Sequence, residues 1–190
     1  MSGERKVRSF IAVVLPARLK SKLSDVVESL KEAKGRIKCV KPENAHLTLR
    51  FLGYPGESKL KEVEAVIERA AEGTRPFRIS LEGVGVFPSR SRPRVIWVGV
   101  RTGARSLYSL QEKIEQGLNA LGFVREKRPY HAHITLGRVK SLPADADLEG
   151  WLRLNADVEV GETEVSGVTL MESCLKREGP EYTVLRDVAF

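Results

Sequence analysis

Two of the three histidines in this 190-residue chain open the same short motif. The stretches His46-Leu47-Thr48-Leu49 and His133-Ile134-Thr135-Leu136 both read His-x-Thr-Leu. In a chain so poor in histidine, two copies of this pattern would rarely arise by chance. Because alternate residues of a strand face opposite sides, each motif would place a histidine and a threonine on one face and two apolar anchors on the other. The pattern predicts a site that contains two imidazoles and two hydroxyls.

These four side chains suit the cleavage of a phosphodiester. An in-line displacement at phosphorus needs a base on the attacking oxygen and an acid on the departing oxygen, and imidazoles can do both near neutral pH. The hydroxyls of Thr48 and Thr135 would donate hydrogen bonds to the non-bridging oxygens, where negative charge is held. The residues alone identify His46 and His133 as the acid–base pair, but they leave open which is the acid.

Two other classes of function remain open at this point. His131 has the same strand parity as His133, so a metal hydrolase with His46, His131 and His133 as ligands is one alternative. Neither motif contains an aspartate or glutamate, and a metal would occupy the proton-transfer groups, so we expect no metal and no cofactor. The other alternative is a non-catalytic module that binds RNA ends.

The surrounding sequence predicts the elements that position these motifs. In each half, a strand and an amphipathic helix precede a strand that carries one motif. We expect an α+β fold of two lobes related by a pseudo-twofold axis, each with antiparallel sheet and outer helices, flanking a central groove in a single domain of residues 1–190. The predicted strands are Val7–Leu15, Ile37–Val40, His46–Leu52, Phe77–Val86, Val95–Val100, Tyr130–Val139, 156–165, 167–175 and 182–189. The predicted helices are 17–34, Lys59–Ala71, 104–121 and 145–153.

Composition favours a soluble protein with a polyanionic partner. Lysine and arginine number 32 against 25 acidic residues, which gives a formal net charge of +7. Such an excess suits nucleic acid. The apolar run that begins at Phe10 ends at Pro16 without a cleavage pattern, so it predicts a strand rather than a signal peptide, and nothing predicts contact with a membrane. Cys39 and Cys174 have no pairing or metal-ligand spacing, so we expect a reduced cytoplasmic protein, and we take a monomer as the default.

The motifs and their surroundings resemble a known family. The paired His-x-Thr-Leu sequences are similar to the HXTX motifs of the 2H phosphoesterase superfamily, and most similar to its branch of RNA 2',3'-cyclic phosphodiesterases, also called 2'-5' RNA ligases. Other segments extend the resemblance over essentially the whole chain. They include Arg8–Ala12, Lys41–Ala45, Gly83–Pro88, Arg92–Gly99, Leu121–Phe123, Leu136–Val139, Leu170–Ser173 and Gly179–Tyr182.

The resemblance implies a reaction and an order for the two histidines. It implies hydrolysis of a terminal 2',3'-cyclic phosphate of RNA, such as a tRNA fragment, to a 2'-phosphomonoester. His133 would be the proton acceptor that activates water, and His46 the proton donor to the departing 3'-oxygen. A reverse 2'-5' RNA ligation is implied as well. One departure is Ala132, where the family usually has a proline.

The substrate-binding residues expected are Arg138, Phe10, Tyr130 and Arg92. Arg138 matches a family arginine near the phosphate, but strict alternation would put it opposite His133, so we expect a bulge at Gly137. Phe10 and Tyr130 are expected to stack on a base. Two basic clusters are expected to form an RNA track. They are Arg90, Arg92 and Arg94, and Arg125, Lys127 and Arg128.

Overall fold

The computed structural model describes residues 4–190, so residues 1–3 of the expected domain lie outside the described part. Within it, the strands are β1 Ser9–Val14, β2 Arg36–Cys39, β3 His46–Gly53, β4 Phe77–Phe87, β5 Val95–Val100, β6 His133–Ser141, β7 Glu159–Val165, β8 Gly167–Lys176 and β9 Gly179–Ala189. The helices are α1 Ala17–Ser29, α2 Glu57–Ala71, α3 Ala104–Ala120 and α4 Leu148–Leu154. Short 3-10 turns span Leu30–Ala33 and Pro42–Asn44.

The helices form because their apolar residues recur at helical spacing. In α3, Leu107, Leu110, Ile114 and Leu118 fall on one stripe and are all buried. They join one large apolar cluster with the inward-facing residues of the strands, such as Leu47. This cluster forms the core between the helices and one face of the sheet, and it leaves the other face free to form a site.

All nine strands of the described chain belong to one antiparallel sheet. Its order is β7-β4-β5-β6-β3-β1-β8-β9, and β2 also pairs with β6. The order has a pseudo-twofold symmetry, because β5-α3-β6 in one half corresponds to β1-α1-β3 in the other. The expected α+β class, with antiparallel strands, outer helices and two similar halves, is confirmed.

Three details differ from the sequence analysis. The two motif strands, β3 and β6, do not belong to separate sheets but lie side by side at the centre of one sheet. The helix expected to reach residue 34 ends as α1 at Ser29 and tightens into a 3-10 turn, after which Lys34 takes a left-handed conformation with φ of 51°. The second motif strand begins at His133 rather than at Tyr130. No helix in residues 4–190 is long and apolar enough to cross a membrane.

Candidate active site

The two His-x-Thr-Leu motifs meet at the centre of the sheet. Leu47 of β3 pairs with Ile134 of β6 in antiparallel register, and both side chains are fully buried in the core. Continuing this register by one residue on each side puts His46 next to Thr135 and Thr48 next to His133. All four polar residues line one groove of about 320 Å³. The motifs therefore contribute to a single site, and each histidine is next to the threonine of the other motif.

His46 is held in place from two sides. Its Nδ1 lies 2.7 Å from the carbonyl oxygen of Asn44. A carbonyl can only accept, so Nδ1 carries the proton and donates it to this bond. The ring also stacks on Phe10 at 4.7 Å between centroids, and Tyr182 meets it edge-on at 5.1 Å. With Nδ1 engaged, Nε2 is the atom left for proton transfer.

His133 is oriented by the same local arrangement. Its Nδ1 donates to the carbonyl oxygen of His131, two residues earlier, at 2.7 Å. The ring of Phe87 meets it edge-on at 5.1 Å. The two imidazoles thus share one tautomer and one mode of support, with both Nε2 atoms left to act on a substrate.

Burial lowers the pKa of both imidazoles below the usual value. For His46 the next influence is the hydrogen bond to Asn44, which opposes the shift, and Lys20 and His133 lower the pKa further. For His133 the bond to His131 opposes the shift, whereas the charges of His131 and Arg138 lower its pKa. Both rings are therefore mostly neutral at pH 7, and protonation of one of them requires mildly acidic conditions or a bound anion.

A matching irregularity follows each motif. The register between β1 and β3 shifts by one residue at Leu49. The register between β5 and β6 shifts in the same way at Leu136. Each shift leaves one extra residue, Leu49 or Leu136, in the motif strand. The residue two positions after this extra residue therefore returns to the face that carries the histidine. That residue is Phe51 after the first motif and Arg138 after the second, and both line the groove.

The groove is strongly basic. Its lining contains the cations Arg8, Lys38, Lys41, Arg138 and Lys140, whereas Glu178 is its one carboxylate. None of these five cations lies within ion-pair distance of a carboxylate in residues 4–190, whereas several arginines elsewhere on the surface do. The geometry presents two oriented imidazoles, two hydroxyls and an excess of positive charge, which suits a phosphate diester.

Sequence comparison agrees with this chemistry. Residues 19–175 match the family model of the 2'-5' RNA ligase superfamily. The chain belongs to this superfamily. An RNA 2',3'-cyclic phosphodiesterase of Methanothermobacter thermautotrophicus is 41% identical over 182 residues, which cover 94% of this chain and 96% of that protein. A second RNA 2',3'-cyclic phosphodiesterase, from Aeropyrum pernix, is 44% identical over 156 residues, which cover 80% of this chain and 85% of that protein.

Solved structures of the same fold extend the comparison. The crystal structure of TT0787 of Thermus thermophilus matches with a TM-score of 0.80 at 32% identity, covering 96% of this chain and 97% of that one. The structure of E. coli LigT complexed with 3'-AMP matches with a TM-score of 0.77 at 28% identity, covering 97% and 98%. The superfamily fold therefore spans nearly the whole chain.

One of the expected base-stacking residues, Phe10, lies on the groove face but has another role. It is 1% exposed and packs with Ala12, Met171 and Tyr182. One face of its ring is already covered by His46. The ring of Phe10 therefore supports the imidazole of His46 in this structure, and its stacking on a base stays a prediction.

Tyr130, which was also expected to stack on a base, does not line the groove. It packs against the helix-side core and lines a separate cavity with Leu49 and Glu115. It precedes the start of β6 at His133, so its position is not set by the alternation of that strand. Burial raises the pKa of its hydroxyl well above the usual range.

The basic clusters expected to bind RNA do not line the groove. Arg92 is exposed in the loop between β4 and β5, and its neighbour Arg90 pairs with Glu149 at 2.5 Å. Arg125 pairs with Glu112 at 2.6 Å, and Lys127 and Arg128 line the separate cavity. Local clustering in sequence did not identify the basic surface, because the surface is assembled from distant strands.

The third histidine does not complete a metal centre. The exposed ring of His131 lies against Trp97 at 4.8 Å and is 6.2 Å from the ring of His133. Across residues 4–190, no three histidine, cysteine, aspartate or glutamate side chains gather as metal ligands do. The arrangement that the metal-hydrolase alternative requires is not formed by His46, His131 and His133.

Sequence reasoning missed Phe51, Tyr182 and Lys38 as groove residues. A signal existed for Phe51, because it is the fifth residue after His46 as Arg138 is the fifth after His133. It is 47% exposed, which is unusual for a large apolar side chain. Lys38 had no such signal, since its position depends on the pairing of β2 with β6.

Proposed function

We propose that the chain hydrolyses terminal 2',3'-cyclic phosphates of RNA to 2'-phosphomonoesters, with His46 as general acid and His133 as general base. The observation that carries this proposal is the matched orientation of the two imidazoles, each with Nδ1 bound to a backbone carbonyl and Nε2 left to transfer a proton. The names of the relatives, RNA 2',3'-cyclic phosphodiesterase, supply the substrate class.

The reaction is a single in-line displacement at phosphorus. His133 Nε2 takes a proton from water as the water oxygen bonds to phosphorus. The bond from phosphorus to the 3'-oxygen breaks, and His46 Nε2-H gives its proton to that oxygen. The products are a 2'-phosphomonoester and a 3'-hydroxyl, so atoms and charge balance without a cofactor. The order of the two histidines follows the family resemblance.

The other groove residues would stabilise the phosphate and orient the nucleoside. Thr48 and Thr135 are placed to donate hydrogen bonds to the two non-bridging oxygens, because each is next to the histidine of the other motif. Arg138 adds a charge-assisted contact to the phosphate. Phe51 sits at the corresponding position after the other motif, where its exposed ring can stack on the base of the terminal nucleotide. The pseudo-symmetric site is thus polarised, with a cation at one end and an aromatic ring at the other.

Three further points belong to the same proposal. Exchange of the roles of the two histidines would permit the reverse 2'-5' ligation of RNA ends. The free thiols Cys39 and Cys174 suit a reducing compartment such as the cytoplasm. We take the chain to act as a monomer on RNA, with residues 1–190 as one domain and with no metal or cofactor.

The experiment is incubation with a short RNA that ends in a 2',3'-cyclic phosphate, in EDTA, with 2'-phosphate and 3'-phosphate products resolved. We expect the 2'-phosphate. Turnover that is lost on chelation would support a metal hydrolase instead. Binding of the RNA end by folded protein without any turnover would support the alternative of a non-catalytic RNA-end module.

A further inference from the structure

The basic side of the groove extends well beyond the two histidines. Lys38 of β2 and Arg138 of β6 are cross-strand neighbours, and Lys140 follows two residues along β6. All three side chains line the groove. We call Lys38 and Lys140 the lysine arm of the groove.

The lysine arm is electrostatically unfavourable in the free protein. Like charges directly opposite each other on paired strands destabilise the pair. Lys38 and Arg138 occupy such positions, and in residues 4–190 no carboxylate forms an ion pair with either of them or with Lys140. Elsewhere on the surface, cations such as Arg5, Lys59 and Arg186 do have carboxylate partners. An unneutralised row of this kind is suited to an anionic ligand with several charges.

The position of the arm fits an RNA strand better than a single phosphate. At about 3.3 Å per strand residue, Lys140 lies roughly 15 Å beyond Thr135, too far to contact a phosphate bound between the histidines. A terminal cyclic phosphate at the histidines has the rest of its RNA strand on the upstream side. The internal phosphates of that strand need cations at increasing distance from the site, which the lysine arm provides.

We propose that Lys38 and Lys140 bind internal phosphates of the RNA strand upstream of the terminal nucleotide, so that the site selects polymeric RNA over cyclic mononucleotides. This inference rests on the proposed function for the identity of the ligand. The lysines act on binding of the strand and take no part in the chemical step. Neither lysine contributes to the pKa of His46 or His133.

The test is equilibrium binding, because it gives a result whether or not the protein turns over. The ligands are an RNA of about ten nucleotides ending in a 2'-phosphate and the single nucleotide adenosine 2'-phosphate. The variant is Lys38→Ala/Lys140→Ala. The charge-matched control is Lys22→Ala/Lys61→Ala, which removes two exposed lysines outside the groove. Dissociation constants are measured over a series of salt concentrations.

Counterion release sets the expected size of the effect. Each lost phosphate contact on a single strand lowers the slope of log K against log salt by about 0.7. We expect the double variant to bind the RNA roughly 10- to 30-fold more weakly at about 0.1 M salt, with a slope smaller by about 1.4. Binding of adenosine 2'-phosphate should not change, and the control should behave as wild type.

Two results would overturn the proposal. If the double variant binds the RNA and adenosine 2'-phosphate more weakly by the same factor, the lysines contact the terminal phosphate or stabilise the fold. If its affinity for the RNA is unchanged, the internal phosphates bind elsewhere. The proposed hydrolysis is tested independently, because it would be contradicted by the absence of turnover on an RNA with a cyclic-phosphate end. The comparison of binding constants would still be valid in that case.

Discussion

Leu47 and Ile134 pair at the pseudo-twofold centre of the sheet, and this one contact brings the two His-x-Thr-Leu motifs together. Both side chains are fully buried, so the register of β3 against β6 is fixed by the core. A slip of one residue would turn the polar face of a motif strand into the core and is strongly disfavoured. The site is therefore rigid because its apolar residues, and not its polar ones, set the register.

Removal of either imidazole should abolish turnover without unfolding the protein. His46→Ala or His133→Ala deletes one proton-transfer group, which contributes roughly 10²- to 10⁴-fold to the rate. Steady-state kinetics and circular dichroism check the two parts of this statement. The control is His131→Ala, because the backbone carbonyl of His131, and not its ring, holds His133. A control variant as inactive as the other two would contradict the assignment.

The pH dependence of kcat/KM should be bell-shaped with its maximum below pH 6.5. Burial lowers the pKa of both histidines, so at pH 7 the free enzyme has few molecules with the protonated acid. As pH falls below 7, the rate rises until the second imidazole is also protonated, and then it declines. A profile from pH 4.5 to 8.5 checks this. A maximum at alkaline pH would mean that other groups transfer the protons.

The threonine hydroxyls should matter through hydrogen bonding and not through volume. Thr48→Val and Thr135→Val preserve shape but remove the donor, and loss of one oxyanion donor costs roughly 10²- to 10³-fold in kcat. Thr→Ser at either position keeps the donor and should retain most of the activity. Similar kcat values for the Ser and Val variants would rule out this role.

Phe51 and Arg138 should affect different parts of the substrate. Phe51→Ala should raise KM for RNA and leave kcat nearly unchanged, because stacking of a base contributes about 1–3 kcal/mol to binding. Arg138→Ala should lower kcat, because in the proposed mechanism its guanidinium binds the reacting phosphate. Phe51→Leu is a control that retains apolar volume without a stacking face. The prediction fails if both alanine variants change KM and kcat in the same proportion.

Removal of one partner of the buried ion pair behind the site should strongly destabilise the protein. Arg50 lies beside the first motif, and its Nε is 2.7 Å from Glu115 Oε2 in a charge contact whose alignment is not that of a hydrogen bond. Its other nitrogens donate to Glu126 and to the carbonyl of Val124. Arg50→Met leaves Glu115 buried without its partner, which costs about 3–5 kcal/mol in the free energy of unfolding.

Chemical denaturation of the Arg50 variant should be compared with Arg5→Met. Arg5 also contacts two carboxylates, but its side chain is 61% exposed and its ion pairs are screened by solvent, so its loss should destabilise the protein far less than the loss of Arg50. Equal losses of stability in the two variants would mean that the Arg50 cluster is no more than a surface contact.

Local patterns were sufficient to predict the elements and the four motif residues that meet in the groove, but not the other groove residues. The His-x-Thr-Leu repeats, helical stripes and strand alternation are short-range signals that survive into the fold. The equal offsets of Phe51 and Arg138 from their histidines were a further signal in the sequence. The position of Lys38 in the groove could not be predicted, because it lies beside Arg138 through a pairing between strands that are distant in the chain.

The division of labour between His46 and His133 is tested most directly by a substrate with a better leaving group. In a terminal 2',3'-cyclic phosphorothiolate with sulfur at the 3'-position, the departing thiolate, with a thiol pKa near 8.5, has little need of a proton donor. We predict that His46→Ala recovers nearly wild-type turnover of this substrate, whereas His133→Ala remains inactive because it still lacks the base. Recovery of His133→Ala instead, or equal defects in both variants, would contradict the assignment.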